Sequence, residues 1–184
     1  KLEKICDHFH LSLQSGCDET LKRMNRKYTT QEFEKIVNLL RKAYPEVALT
    51  TDIIVGFPAE TEEEFNKTYE FLSKIKFMKM HIFKYSQRNG TKAATMEEQI
   101  DGNVKEERSN KLIKLSDDNE KEFMKKYVGK QVDVLFEQST EKYTEGHTKN
   151  YMLVKVPMNV ELENTIKTVK ITKLDNLILD GEIK

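Results

Sequence analysis

The side chains whose placement in the sequence could do chemistry include His8, His10 and His81, the thiol of Cys17, and the carboxylate of Asp52. Asp52 stands inside an apolar run, Leu49-Thr50-Thr51-Asp52-Ile53-Ile54-Val55, which reads as a buried strand. A carboxylate there needs partners, because burying it alone is costly. Two readings stay open: a structural Asp bonded to nearby backbone or hydroxyls, or a residue that meets a ligand. His8 and His10 share one face of an alternating segment and form an imidazole pair of the kind that binds metal. No third ligand is in view, so they, and His81 with them, read as satisfied core or lumen histidines. Cys17 beside Gly16 invites a nucleophile reading, yet no base accompanies it and a structural thiol is favoured.

The elements that hold these residues follow from periodicity. Phe9, Leu11 and Leu13 alternate with His8, His10, Ser12 and Gln14, predicting a first strand over His8–Gln14. Asp18 is expected to cap a short helix carrying Leu21 and Met24. Thr29-Thr30-Gln31-Glu32 is a capping box that opens a helix ended by Pro45. Gly56 and Pro58 turn the Asp52 strand, and Thr61-Glu62-Glu63-Glu64 opens the next helix with a second box. Met80–Ser86 is a third strand, whose facing parity the sequence leaves open. After a turn at Gln87–Thr91, a charged helix is expected from Val104 to Tyr127, with Leu112, Ile113, Leu115, Phe123 and Met124 inward. Strand and helix alternate three times, which means βα units with parallel pairing. Three units are too few to close a barrel, so half of that architecture is expected to lie elsewhere. Past Gly129 the pattern becomes short strands: Gln131–Glu137, Tyr143–Thr148, Tyr151–Val156, Thr168–Leu174 and Leu177–Ile183. The expected fold is therefore α/β: a partial (β/α) barrel of three strand–helix units over residues 1–128, then a small OB-like all-β barrel over 129–184.

Composition narrows the function classes. Lys+Arg and Asp+Glu balance at 31 each, so the chain as a whole carries no electrostatic signature for nucleic acid. No apolar run approaches the roughly 20 residues of a membrane span. Two scattered cysteines fit a reducing compartment, and a cytoplasmic location is expected. A chain that starts at Lys1 inside a structured pattern reads as a piece of something longer.

Four ordered blocks carry a resemblance: His10-Leu11-Ser12-Leu13-Gln14-Ser15-Gly16-Cys17-Asp18, Leu21–Thr29, Thr50–Pro58 and Phe83-Lys84-Tyr85-Ser86. Together they resemble the C-terminal half of the radical S-adenosylmethionine (SAM) tRNA methylthiotransferases. The tail from Tyr127, with Glu145–Tyr151, resembles their RNA-binding TRAM barrel. The wording of the first block is most similar to the branch that modifies N6-threonylcarbamoyladenosine beside the anticodon. The isopentenyladenosine branch, or a non-catalytic RNA-docking module on the same folds, is the alternative. The resemblance implies SAM and two 4Fe-4S clusters as cofactors, and tRNA as partner. It places Gln14, Asp52, Gly56, Phe57 and Phe83 at the SAM site. Arg23, Arg26 and Lys27, in a basic stretch, and Tyr143, His147, Lys149, Asn150 and Tyr151, on the small barrel, are the expected RNA-binding residues.

Departures bear on activity. Ala59 replaces the usual second Gly after Gly-Phe-Pro, and Ser86-Gln87-Arg88-Asn89-Gly90-Thr91-Lys92 lacks the family's three prolines. The CxxxCxxC thiolates of the radical cluster are missing from this chain, so alone it is expected to be inactive, with no metal ligands of its own. The open side of its half-barrel, at His8–Gln14, is expected to be an exposed edge, covered in a homodimer.

Overall fold

In the computed structural model, which describes residues 4–183, the first strand is shorter than its alternation suggests. β1 covers only His8–His10, and Gln14 returns as an isolated parallel bridge to Ile53. The gap is filled by a side chain. Thr51 Oγ1 donates to the Leu11 carbonyl at 2.6 Å and accepts from the Leu13 N–H at 3.1 Å, standing in for ladder bonds. On either side the ladder is ordinary: Leu11 N–H donates to Thr50 O, and Gln14 N–H to Asp52 O. Gln14 takes φ 72°, a left-handed conformation that breaks the strand's alternation.

α1 (Asp18–Arg23) follows, and here the capping expectation is corrected. Cys17 occupies the cap position, Asp18 is the first helical residue, and its carboxylate accepts instead from the N–H of Thr30 at 2.7 Å. Thr29 and Glu32 form the expected capping box of α2 (Thr30–Ala43), and Thr61 and Glu64 that of α3 (Glu62–Ile75). Between them runs β2 (Ala48–Val55), and β3 (Lys79–Lys84) follows. The sheet order is β1-β2-β3, with β2 and β3 parallel. Phe33, Val37, Phe65, Leu72 and Ile75 on the two helices are buried, as are Leu49, Ile53 and Val55 of β2. Each such side chain contributes about 1.5–3 kcal/mol by leaving water. β2–β3 register pairs Asp52 with His81 and Ile54 with Phe83, so His81 and Phe83, rather than Met80 and Ile82, share the polar face with Asp52.

α4 spans Gly102–Lys125. Leu112 and Met124 are buried as expected, but Ile113 is 43% exposed. The face that α4 buries over Arg108–Asn119 is largely polar: Arg108, Ser109, Ser116 and Asn119 are all buried. Ser116 explains part of this, since its hydroxyl accepts from the Met80 N–H at 2.9 Å and lies 3.3 Å from the Met80 carbonyl.

Residues 9–45 and 49–119 make up one compact unit. The other takes in residues 4–8, Glu46–Ala48 and residues 120–183. Its heart is a closed barrel of β4 (Gln131–Ser139), β5 (Tyr143–Thr148), β6 (Leu153–Pro157), β7 (Ile166–Asp175) and β8 (Ile178–Ile183). Its order is β4-β5-β6-β8-β7, with β6 and β8 parallel and the other pairs antiparallel. Val134, Phe136, Val154, Val156, Val169, Ile171 and Leu179 fill it. Gly146 sits against β4 where the strand bulges. A Cβ there would fall 2.0 Å from the Leu135 carbonyl oxygen, so only glycine fits.

Candidate functional site

On the polar face of the sheet, three adjacent strands bring their side chains to one level. His10 from β1, Asp52 from β2 and His81 from β3 hold donor atoms all within 4.8 Å of one another. His10 Nε2 lies 3.1 Å from Asp52 Oδ2, and its Nδ1 lies 3.0 Å from the Thr50 hydroxyl. The ring centroids of His10 and His81 are 6.0 Å apart. The histidine pair read from alternation is thus a different pair. His8 instead stacks on Tyr151 at 5.1 Å, and His81, 71 positions from His10, stands where a third donor atom would, a neighbour that the sequence did not reveal. Parallel register, which fixes Asp52 beside His81, is the signal that local spacing lacks.

Beyond β2 the chain turns at Gly56, φ 69°, and the turn is held from beneath. Glu60 Oε1 accepts from the Gly56 N–H at 2.9 Å and from Arg108 Nη1 at 2.7 Å. Burial pushes the Glu60 carboxyl above its usual range, while the Gly56 N–H and Arg108 pull against it. Arg23 is committed to the same loop. It grips Glu64 through two bonds of 2.5 and 2.7 Å, and donates to the Pro58 carbonyl. Those bonds hold Glu64 below the ordinary carboxylate range and Arg23 above the ordinary guanidinium range. A Cβ on Gly56 would meet Lys105 Cγ at 2.3 Å.

A cavity of about 330 Å³ opens beside the ends of β2 and β3, lined by Ile54, Lys84, Tyr85, Ser86, Arg88, Thr91 and Ala93. Tyr85 carries a buried hydroxyl with no hydrogen-bond partner among the described residues. Its ring packs edge-on against Phe57 at 5.2 Å, with Lys105 Nζ 5.4 Å from the ring centroid. Of the five residues expected at the SAM site, Gln14 and Phe57 are buried, Gly56 makes the turn, and Asp52 belongs to the histidine cluster. Phe83 is 52% exposed on the polar face, paired in register with the cavity residue Ile54. None of the five expected residues lines the cavity itself, and none of its lining residues, Lys84, Tyr85 and Arg88 included, is singled out by the sequence as a site residue.

Cys17 is buried, and its thiol donates to Glu19 at 2.8 Å. Burial first, and that bond second, push the thiol above its ordinary value, away from nucleophile character. The remaining basic candidates of this unit are surface residues: Arg26 is exposed and Lys27 bonds Asn25.

On the barrel, His147 and Tyr151 come together. Tyr151, 60% exposed, lies between His147 at 4.6 Å and His8 at 5.1 Å, both stacked. Its edge and hydroxyl, rather than its ring faces, remain open. His147 Nδ1 also meets Glu137 at 2.5 Å. Lys155 sits over the Tyr143 ring at 3.9 Å, and Lys149 is exposed. Asn150 is buried: its amide donates to the Tyr127 hydroxyl, which donates in turn to Glu46. Burial, and then the Glu46 carboxylate, raise the Tyr127 phenol well above its usual value.

Comparison with known proteins accords with this architecture. Residues 1–72 match the Radical SAM superfamily. A threonylcarbamoyladenosine tRNA methylthiotransferase of Bacillus subtilis is 45% identical over 176 residues, covering 93% of this chain and 39% of the relative. A tRNA-2-methylthio-N(6)-dimethylallyladenosine synthase of Acetivibrio thermocellus is 39% identical over 184 residues, covering 98% and 38%. One from Caldicellulosiruptor saccharolyticus is 38% identical, covering 99% and 39%. The chain spans about two fifths of the length of these curated relatives. Among the described residues, no helix is long and apolar enough to cross a membrane.

Proposed function

We propose that this chain, similar along nearly its whole length to radical SAM tRNA methylthiotransferases, supplies the C-terminal part of the catalytic barrel and an RNA-binding barrel to such an enzyme. The reaction is addition of a methylthio group at C2 of N6-threonylcarbamoyladenosine next to the anticodon. The observation that carries this reading is similarity to tRNA methylthiotransferases across 93–99% of the chain, βα part and small barrel together. The threonylcarbamoyladenosine substrate rests on the Leu11-Ser12-Leu13-Gln14-Ser15-Gly16-Cys17-Asp18 wording and on the Bacillus relative.

The residues present divide the cofactors. Iron–sulfur clusters take thiolate ligands, and this chain offers exposed Cys6 and buried, Glu19-bonded Cys17. Those two do not make a cluster site, and the cluster ligands belong to another part of the enzyme. SAM fits better. The cavity at the strand ends is of ligand size, and its lining mixes the cationic Lys84 and Arg88 with Ile54 and Tyr85. When bound, SAM supplies the methyl group and the radical chemistry. The part of this chain is to bind and orient: Arg88 and Lys84 beside a carboxylate, Phe83 and Ile54 beside an apolar or aromatic surface, and the Gly56 turn held by Glu60 and Arg108.

Deletion of the gene that encodes this sequence, followed by mass spectrometry of tRNA nucleosides, tests the reading. The methylthio derivative of threonylcarbamoyladenosine should vanish and return on complementation. Loss of the isopentenyladenosine derivative instead would move the protein to that branch. Unchanged levels of both would leave the docking-module reading.

A further inference from the structure

We propose that His10, Asp52 and His81 form a binding site for one divalent transition-metal ion of the zinc, cobalt or iron(II) class. The site is separate from any iron–sulfur cluster, since it contains no thiolate, and it does not depend on the methylthiotransferase reading. Two imidazoles and one carboxylate are a donor set that suits these borderline ions and leaves coordination positions for water or another ligand. Hard ions such as magnesium prefer all-oxygen sets.

The geometry is close to what coordination requires. Bonds of about 2.0–2.2 Å around a tetrahedral ion set donor atoms roughly 3.3–3.6 Å apart. His10 Nε2 and Asp52 Oδ2 already stand 3.1 Å apart, and all three donors lie within 4.8 Å. A rotamer adjustment of exposed His81, of at most about 1.5 Å at the ring nitrogen, closes the set. The scaffold is firm, because each ligand comes from a different strand of one sheet and Asp52 and His81 are register partners.

Behind His10 stands a further support. Its Nδ1 meets the hydroxyl of Thr50, a residue only 4% exposed. In the metal-bound form Nδ1 carries the proton and donates to Thr50, which turns the Nε2 lone pair toward Asp52 and the ion. Such outer partners fix the tautomer of ligating histidines. Without metal, the same contacts accommodate the other tautomer, with Nε2–H donating to Asp52 and the Thr50 hydroxyl donating to Nδ1. The cluster is thus satisfied in both states and needs no rearrangement of backbone to switch.

The test is cobalt(II) titration of the metal-free chain, read by visible d–d absorption, with zinc(II) added afterwards. One cobalt per chain, displaced by one zinc, is expected. His81→Gln and Asp52→Asn should each weaken cobalt binding at least tenfold, and Thr50→Val by roughly tenfold through loss of the outer partner. His147→Gln, at the other histidine–carboxylate contact, should bind as wild type does. Far-ultraviolet circular dichroism checks that the variants are folded. His81 is exposed and decides the matter should Asp52→Asn unfold. No cobalt binding, or binding that His81→Gln leaves unchanged, overturns the proposal.

Discussion

Glu60 is a carboxylate with a 2% exposed side chain, and what makes it tolerable is Arg108, 48 residues further along. Breaking such a pair leaves an uncompensated buried charge, which costs about 3–5 kcal/mol. Arg108→Met should therefore lower stability by that order in urea unfolding, and adding Glu60→Gln should recover much of it. If the double variant is no better than the single, the charge was never the cost. Glu64 behaves differently. Arg23 holds its carboxyl below the ordinary range, so folding favours the ionised form. That stabilisation is whole above the unfolded-state value, about pH 4–5, and is lost as pH falls through the lower folded value. The stability gap between wild type and Glu64→Gln should consequently narrow on acidification from about pH 6 to about pH 3. A gap that stays constant would show that Glu64 contributes by packing alone. At this scale the sequence is legible where chemistry is local. Thr29 with Glu32 and Thr61 with Glu64 are read three residues apart and form as read. Arg108 and Glu60 look like solvated charges until the fold brings them together, and Asp52 keeps its meaning hidden until His81 arrives beside it.

Strands and helices were recoverable where one face is apolar, and this is why α4 misled. Its buried face is built from Arg108, Ser109, Ser116 and Asn119 as much as from Leu112, so periodicity assigned Ile113 inward when it is exposed. In β1 the failure is of another kind: alternation continues through Leu13, but the Thr51 hydroxyl replaces the ladder over Leu11–Leu13. A single side chain from the neighbouring strand cannot be foreseen from the segment it interrupts. The barrel strands were read well, because turn residues punctuate each of them. There Gly146 is the position with least tolerance. Gly146→Ala puts a methyl against the Leu135 carbonyl and the Phe136 Cα, both backbone atoms that cannot swing aside. A loss of at least about 3 kcal/mol is expected, at the high end for overpacking. Amide exchange in β4 and β5 reports it, and near-wild-type protection in both strands would contradict the placement.

The whole chain has equal numbers of acidic and basic residues, and residues 129–184 carry eight lysines against nine acids. Affinity for tRNA, if it resides here, draws little on counterion release. Its dependence on salt should be shallow, with a log–log slope no steeper than about −3, corresponding to about three or four phosphate contacts. A filter-binding series over salt concentration measures it, and a slope near −8 would show that many phosphate contacts, and not stacking, carry the affinity. The change of pattern near Gly129 announces a small β-barrel after the βα part, while the compact units divide earlier, at Asn119/Glu120 inside α4. What pattern could not reveal is that the barrel's unit also recruits residues 4–8 and Glu46–Ala48. Asn150 donates to the Glu46 carbonyl across 104 positions of sequence, and Tyr127 bonds the same residue's carboxylate. On a ribosome, residues 4–8 and 46–48 emerge long before the strands they will join. They must wait, solvated, while residues 49–119 are made, and closing so long a loop costs entropy before any contact rewards it. The barrel strands, once made, pair over at most 39 positions of sequence, Gln131 with Lys170, and close at smaller entropic cost. The knot of Glu46, Tyr127 and Asn150 is then among the last structure to set, and the slowest exchange of folding and unfolding should be felt at that seam.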